Sequence, residues 1–136
     1  MIKVLIDTNV FISAIAFGGT PRQVISAVVA GKIVNYISNE ILDELTEVLG
    51  RPKFAYNKSV IRAIISETEQ ISILFNDYPE IDLVKQDSKD NHVLACAIEA
   101  KVDYLVTGDQ DLLTINPHCS LKILAPGELM DVLRDQ

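Results

Sequence analysis

The sequence has no tryptophan, and its 136 residues include only two cysteines and two histidines. Cys96 and Cys119 have no metal-ligand spacing and no partner motif, which removes the usual cysteine-based metal and redox chemistries. Cys96 stands among alanines in LACAIEA and reads as a small buried hydrophobe. No apolar run reaches the length of a membrane span. A strand pattern begins at Ile2 and leaves no room for a signal peptide, so the expectation is a soluble cytoplasmic protein with no membrane partner. Repeats, low-complexity tracts and linkers are all missing, and the length suits a single domain over residues 1–136. Charged residues make up only 23% of the chain against 49% hydrophobic, which supplies a core and argues against disorder. Positive charge is in short supply too. A net charge of −7 works against a nucleic-acid partner at long range.

What is present is alternation. IKVLID (2–7) is an unbroken apolar run, the pattern of a strand buried on both faces. A helix is predicted over 20–31, with Thr20 as N-cap, Pro21 at the first helical position and Gly31 just past the end. A short strand (33–37) and a helix capped by Ser38 (39–49) follow, and Gly50, Arg51 and Pro52 break the pattern. Helical spacing then runs over 57–74 through Val60, Ile61, Ile64, Ile65, Thr68 and Ile71. Residues 78–88 read as a loop, with room for one short strand. Next come a helix over 89–101, a strand over 103–107, a helical turn near Leu112, a strand over 121–124 and a helix over 127–134. Strands alternating with helices imply a parallel sheet covered on both faces. Sites in such sheets form beyond the carboxyl ends of the strands.

Two of the strands run into acid, IKVLID at Asp7 and DYLVTGD at Asp109. A parallel sheet would bring both carboxylates to one edge; turn or helix-cap duty is the competing account. In NEILDELTEVL, at about 100° per residue, Asp43 and Glu47 point away from the apolar face formed by Ile41, Leu42, Leu45, Val48 and Leu49, and Glu40 nearly so. Glu44 alone lies at its border. In DSKDNHVLACAIEA the buried face is Val93, Leu94, Ala97 and Ile98, and Asp90 falls on it. A carboxylate there is costly unless it caps, pairs or binds a metal. Asp87 is the better candidate for the cap and Asp90 for chemistry. His92 projects to the opposite side, near Glu99, and is expected at the surface; His118, beside Pro117, is expected in a loop. Asp7, Glu44, Asp90 and Asp109 converging in one cleft would repel one another and raise their pKa values. A hard divalent cation resolves that, and an all-oxygen set suits Mg²⁺ or Mn²⁺ rather than zinc.

Four stretches, IDTNVFISA, SNEILDELTEVLGRPKF, DSKDNHVLACAIEA and YLVTGDQDLL, together and in this order resemble the PIN-domain family. The likeness is greatest to its toxin-like branch, the toxin components of toxin–antitoxin pairs. It covers nearly the whole chain. The resemblance implies a Rossmann-like α/β three-layer sandwich with a central parallel sheet. It also implies a metal-dependent ribonuclease that hydrolyses RNA by metal-activated water. The family's four acids fall on Asp7, Glu44, Asp90 and Asp109, the four already reached from strand ends and helix faces. Its polar residue after the first acid falls on Asn9, and its Thr or Ser before the last acid on Thr107, both suited to holding the carboxylates. Asp111 and Asp87 are extra ligands or turn caps. An antitoxin protein and a homodimer are the implied partners.

Arg51, Lys53, Lys58 and Arg62 cluster just after the Glu44 helix and are the candidate phosphate contacts. Three other readings compete. A phosphatase of the haloacid-dehalogenase type needs a second acid two residues after the first, where Asn9 stands. A phospho-receiver domain needs an acid after a central strand and a later lysine, a pattern not found here. A non-catalytic PIN-like binding module would have no reason to crowd four acids together.

Overall fold

The computed structural model describes residues 1–80, 90–115 and 120–136, with Asp90 described by its backbone alone. The chain runs β1 (Ile2–Ile6), α1 (Thr8–Ala16), α2 (Gly19–Val29), β2 (Ile33–Ile37) and α3 (Asn39–Leu49), then a single 3-10 turn (Pro52–Phe54). It continues through α4 (Lys58–Gln70), β3 (Ser72–Leu74), α5 (Asp90–Glu99), β4 (Tyr104–Val106), α6 (Gln110–Leu113), β5 (Lys122–Leu124) and α7 (Pro126–Arg134). All five strands are parallel, in the order β3-β2-β1-β4-β5. The α/β class with a central parallel sheet expected from the alternating pattern is the fold observed. No single described helix is long and apolar enough to cross a membrane.

β1 lies at the centre, so its apolar run meets protein on both faces; Val4, Leu5 and Ile6 are completely buried. The chain steps from β1 to β2 to β3 in one direction, then returns to add β4 and β5 on the other side of β1. Because parallel crossovers are right-handed, this reversal places α1 to α4 on one face and α5 and α6 on the other. It also opens a crevice between the carboxyl ends of β1 and β4, where such sheets bind ligands. Buried Asn35 of β2 ties the sheet together: its Oδ1 accepts from the Ile6 backbone N–H at 3.0 Å, and its Nδ2 donates to Ser72 Oγ at 2.9 Å.

Three local expectations are corrected. Residues 8–16, which drew no helix prediction, form α1. The segment TNVFISAIA shows only Asn9 and Ser13 as a short polar stripe, since none of its residues is exposed and it packs against α2 and α3; its start is fixed by Asp7 as N-cap. α2 begins at Gly19 rather than after Thr20, because α1 and α2 meet at 106° and the turn between them uses Gly18 at φ 79°. Pro21 therefore sits third in the helix, still among the first four residues that lack an intrahelical acceptor. Gly31 does follow the helix end at φ 76°, as read. Finally, the helical spacing over 57–74 conceals a break. α4 stops at Gln70, and Ser72–Leu74 pairs with β2 as an edge strand. No glycine or proline marks that junction, and Ile71 serves as helix C-cap while still packing on the core.

Candidate active site

Asp7 follows the last residue of β1, and its own backbone N–H still donates to Val106 of β4 at 2.9 Å. Its carboxylate is 3% exposed and surrounded by donors. Oδ1 accepts from the Thr8 N–H at 2.8 Å; Oδ2 accepts from the Thr107 hydroxyl at 2.8 Å and from Asn9 Nδ2 at 3.1 Å. Burial raises the Asp7 pKa to about 6 against the relief given by the Thr107 and Thr8 hydrogen bonds, with the charges of Glu44 and Asp109 pushing the same way as burial.

Asn9 and Thr107 form a clasp between the β1–α1 junction and the segment after β4. Asn9 Nδ2 reaches Thr107 Oγ1 at 3.3 Å, and Asn9 Oδ1 accepts from the Gly108 N–H at 3.0 Å. Thr107 Oγ1 in turn accepts from the Asp109 N–H at 3.0 Å. Asn9 is thus spent on bracing Asp7 and the Gly108 backbone, which leaves no second acid for dehalogenase-type chemistry. Asp109 Oδ1 accepts from the Asp111 N–H at 2.9 Å and caps α6. Both strand-end acids are therefore helix caps and also line one cleft, so the two accounts weighed from the sequence are compatible.

That cleft, of about 300 Å³, is lined by Asp7, Thr8, Asn9, Ile12, Ser13, Glu44, Val48 and Asp109. Glu44 reaches it from the middle of α3, at the border of the apolar face formed by Ile41, Leu42, Leu45 and Leu49. The backbone of Asp90 opens α5; its side chain lies outside the described residues, as do Asp87, His118 and Cys119. Asp111 is half-buried one residue into α6. Cys96 is buried, as expected, and its thiol faces the Phe75 carbonyl at 3.5 Å.

Three carboxylates share a small cleft with apolar walls, and the most enclosed of them is driven toward its neutral form. That chemistry fits a hard cation with oxygen ligands. Among the described residues no three Asp, Glu, His or Cys side chains already stand close enough to hold one. Asp7, Glu44 and Asp109, with Asp90 from the start of α5, are the residues that would do so.

His92 is the site residue that the sequence reading misplaced. Its side chain is only 16% exposed; Nε2 lies 3.2 Å from Glu44 Oε2, and Nδ1 3.9 Å from Glu40 Oε2. The wheel of α5 places His92 away from Val93 and Leu94, but there the ring meets the side chains of Glu44 and Glu40 rather than water. Burial works against the charged imidazole, yet the Glu44 hydrogen bond and the charges of Glu40, Glu44 and Asp7 outweigh it, and the pKa stands above 6.5. Glu40, expected on a solvated face, accepts from the Tyr78 hydroxyl at 2.6 Å. The readable signal was Glu40 and Glu44 one helical turn apart, a pair in need of a common cationic or donor partner.

The four basic residues divide. Arg51 lies just beyond the end of α3, with extended backbone, and pairs with Glu47 at 3.0 Å at the surface. Lys53, in the 3-10 turn, holds its ammonium 5.1 Å from the centre of the Phe54 ring, which stacks on Tyr56. Arg62 instead lines a groove with Thr46, about 200° around α3 from Glu44, and Lys58 precedes it by one turn of α4.

An all-parallel sheet with acids gathered at its topological switch defines an α/β protein whose site suits phosphate-ester or metal chemistry. The comparisons narrow this further. The sequence profile of the PIN domain matches residues 3–111, so the chain belongs to the PIN-domain family. It is also 32% identical, over 96% of its own length and 90% of the relative's, to an uncharacterised protein of Methanocaldococcus jannaschii. PIN domains are generally nucleases that bind nucleic acid and typically use divalent metal ions.

Proposed function

We propose that this chain, as one PIN-like domain over residues 1–136, is a cytoplasmic Mg²⁺- or Mn²⁺-dependent ribonuclease and the toxin component of a toxin–antitoxin pair. The observation that carries the nuclease reading is the enclosure of Asp7 in one cleft with Glu44 and Asp109 at the β1–β4 switch. Choice of RNA and the toxin role rest on the resemblance of the four sequence stretches to the toxin-like branch. An antitoxin protein and a second copy of the chain are the partners that branch implies.

In this reading Asp7, Glu44, Asp90 and Asp109 hold the cation. When bound, it acts as a Lewis acid on the phosphodiester and lowers the pKa of water. Thr107 and Asn9 keep the Asp7 carboxylate in one orientation, with Oδ2 fixed by two donors. Ile12 and Val48 give the cleft apolar walls, which strengthen the electrostatics inside it. No described histidine lines the cleft, so no imidazole base is assigned there. Arg51 and Lys53, which follow α3 in the chain, are assigned to the phosphates on either side of the scissile one.

The test is incubation with mixed structured and single-stranded RNA, with Mn²⁺ or Mg²⁺ or with chelator, beside Asp90→Asn. Cleavage is expected only with metal and with Asp90 intact. If neither cleavage nor metal binding is seen, the chain is a binding module instead. A second outcome concerns the charge problem. Arg51→Ala with Lys53→Ala is expected to flatten the slope of log affinity for single-stranded RNA against log salt by about 1.4, at about 0.7 per phosphate contact. An unchanged slope would place the RNA path elsewhere.

A further inference from the structure

The imidazole of His92 reaches from α5 to Glu44 and Glu40 of α3 and is not among the residues that line the cleft. It meets Glu44 at Oε2, at 3.2 Å, while the same glutamate contributes to the cleft with Asp7 and Asp109. A carboxylate has two oxygens; the imidazole occupies one and the other remains for a cation. The second ring nitrogen, Nδ1, is buried without a hydrogen-bond partner and looks toward Glu40 Oε2 at 3.9 Å. Glu40 is itself held from the far side by the Tyr78 hydroxyl. The ring is thus bracketed by two glutamates from successive turns of α3.

Glu44 needs such a brace more than the other acids do. Asp7 is fixed by Thr8, Asn9 and Thr107, and Asp109 by its cap on α6. Both have short side chains rooted at strand ends. Glu44 projects from mid-helix on three rotatable bonds, beside two other carboxylates that repel it. Ordering a free glutamate costs up to about 1.5–2 kcal/mol of rotamer entropy, and a donor already held in place removes part of that cost before any ligand arrives.

Resting on the nuclease reading above, we infer that His92 is a positioning residue: its Nε2–H aims Glu44 into the cleft and so sets the affinity for the divalent cation, without ligating it. Hydrogen-bonded partners behind a ligating side chain typically account for 10–100-fold in metal affinity. The role needs a donor at the Nε2 position. A glutamine can supply one from its amide; a leucine of similar bulk cannot.

The experiment measures Mn²⁺ binding calorimetrically to wild type, Glu44→Gln, His92→Leu and His92→Gln, with urea midpoints of each metal-free protein. Electron paramagnetic resonance on the Mn²⁺ complex reads nitrogen coupling. The expected result is Mn²⁺ binding weakened about 10–100-fold in His92→Leu, recovery to within about 3-fold of wild type in His92→Gln, and no directly coordinated nitrogen in wild type. If His92→Leu binds as wild type does while Glu44→Gln is weakened, the metal centre stands and the role of His92 is overturned. If His92→Gln is as weak as His92→Leu, the loss comes from packing and the role is again overturned. A strong directly coordinated ¹⁴N signal would make His92 a ligand instead. If wild type binds no Mn²⁺, the metal-centre reading fails and the inference falls with it.

Discussion

Asp7→Asn is expected to lower RNA cleavage by on the order of 10³-fold or more at matched metal occupancy, while the chain remains folded. The size follows from the setting. Asp7 is the most enclosed of the described acids in the cleft, at 3% exposure, so its charge acts with little solvent between it and anything bound there. Asparagine keeps the shape and can still accept from the Thr8 N–H, but it supplies no charge. A loss of 10³-fold corresponds to about 4 kcal/mol of transition-state stabilisation, in the range found when one preorganised electrostatic group is removed. Single-turnover cleavage of a labelled RNA, with metal raised until the rate of each protein saturates, is the measurement. A variant that saturates at the wild-type rate would show that Asp7 serves only as the cap of α1.

The cleft acids described here were legible in the sequence because their positions follow from periodicity alone. A strand buried on both faces must end where its apolar run ends, which put Asp7 at the sheet edge. A helix with one apolar face must place Glu44 at its border. Both features are properties of a single element, and the parallel sheet then brings Asp7 and Asp109 together without further information. The misplacements have the opposite character. His92 looks solvent-facing on its own helical wheel, and its contact with Glu44, forty-eight positions away, needed the fold. Glu40 is exposed, as its wheel position implies, and only its contact with Tyr78, thirty-eight positions away, needed the fold. α1 was missed because a helix with no exposed residue has only a short polar stripe to reveal its period. The α4–β3 junction was missed because Ile71 and Ile73 continue an apolar rhythm through a change of backbone conformation that only pairing with β2 dictates. Elements defined by their own faces can be read from the sequence; contacts made by the outer face of one element against another require the fold.

The same Asp7→Asn substitution is expected to stabilise the metal-free protein at pH 7. The unfolded carboxyl titrates near 3.8, the folded one near 6. For an acid with a raised folded pKa the sign is clear. Above about 6 the group is ionised in both states, and the folded state bears the full cost of the buried charge. Below 3.8 it is neutral in both states and the cost is gone. Between those values the stability contributed by Asp7 rises as pH falls. The gap of roughly two units corresponds to about 3 kcal/mol at pH 7. Asparagine removes that penalty but turns its NH₂ toward Thr107 Oγ1 and Asn9 Nδ2. The amide cannot accept, and the hydroxyl already accepts from Asn9 Nδ2 and the Asp109 N–H, so two hydrogen bonds worth about 1 kcal/mol each are lost. The net expectation is a gain of about 1 kcal/mol in chelator at pH 7, read from urea unfolding, that turns into a loss by about pH 4. Saturating Mn²⁺ should reverse the order, because wild type gains the larger binding energy. A carboxylate retained for structure would show the contrary pattern, with the variant less stable at pH 7 with or without metal. Activity and metal-free stability moving in opposite directions on one substitution is what a site built around an absent positive charge requires.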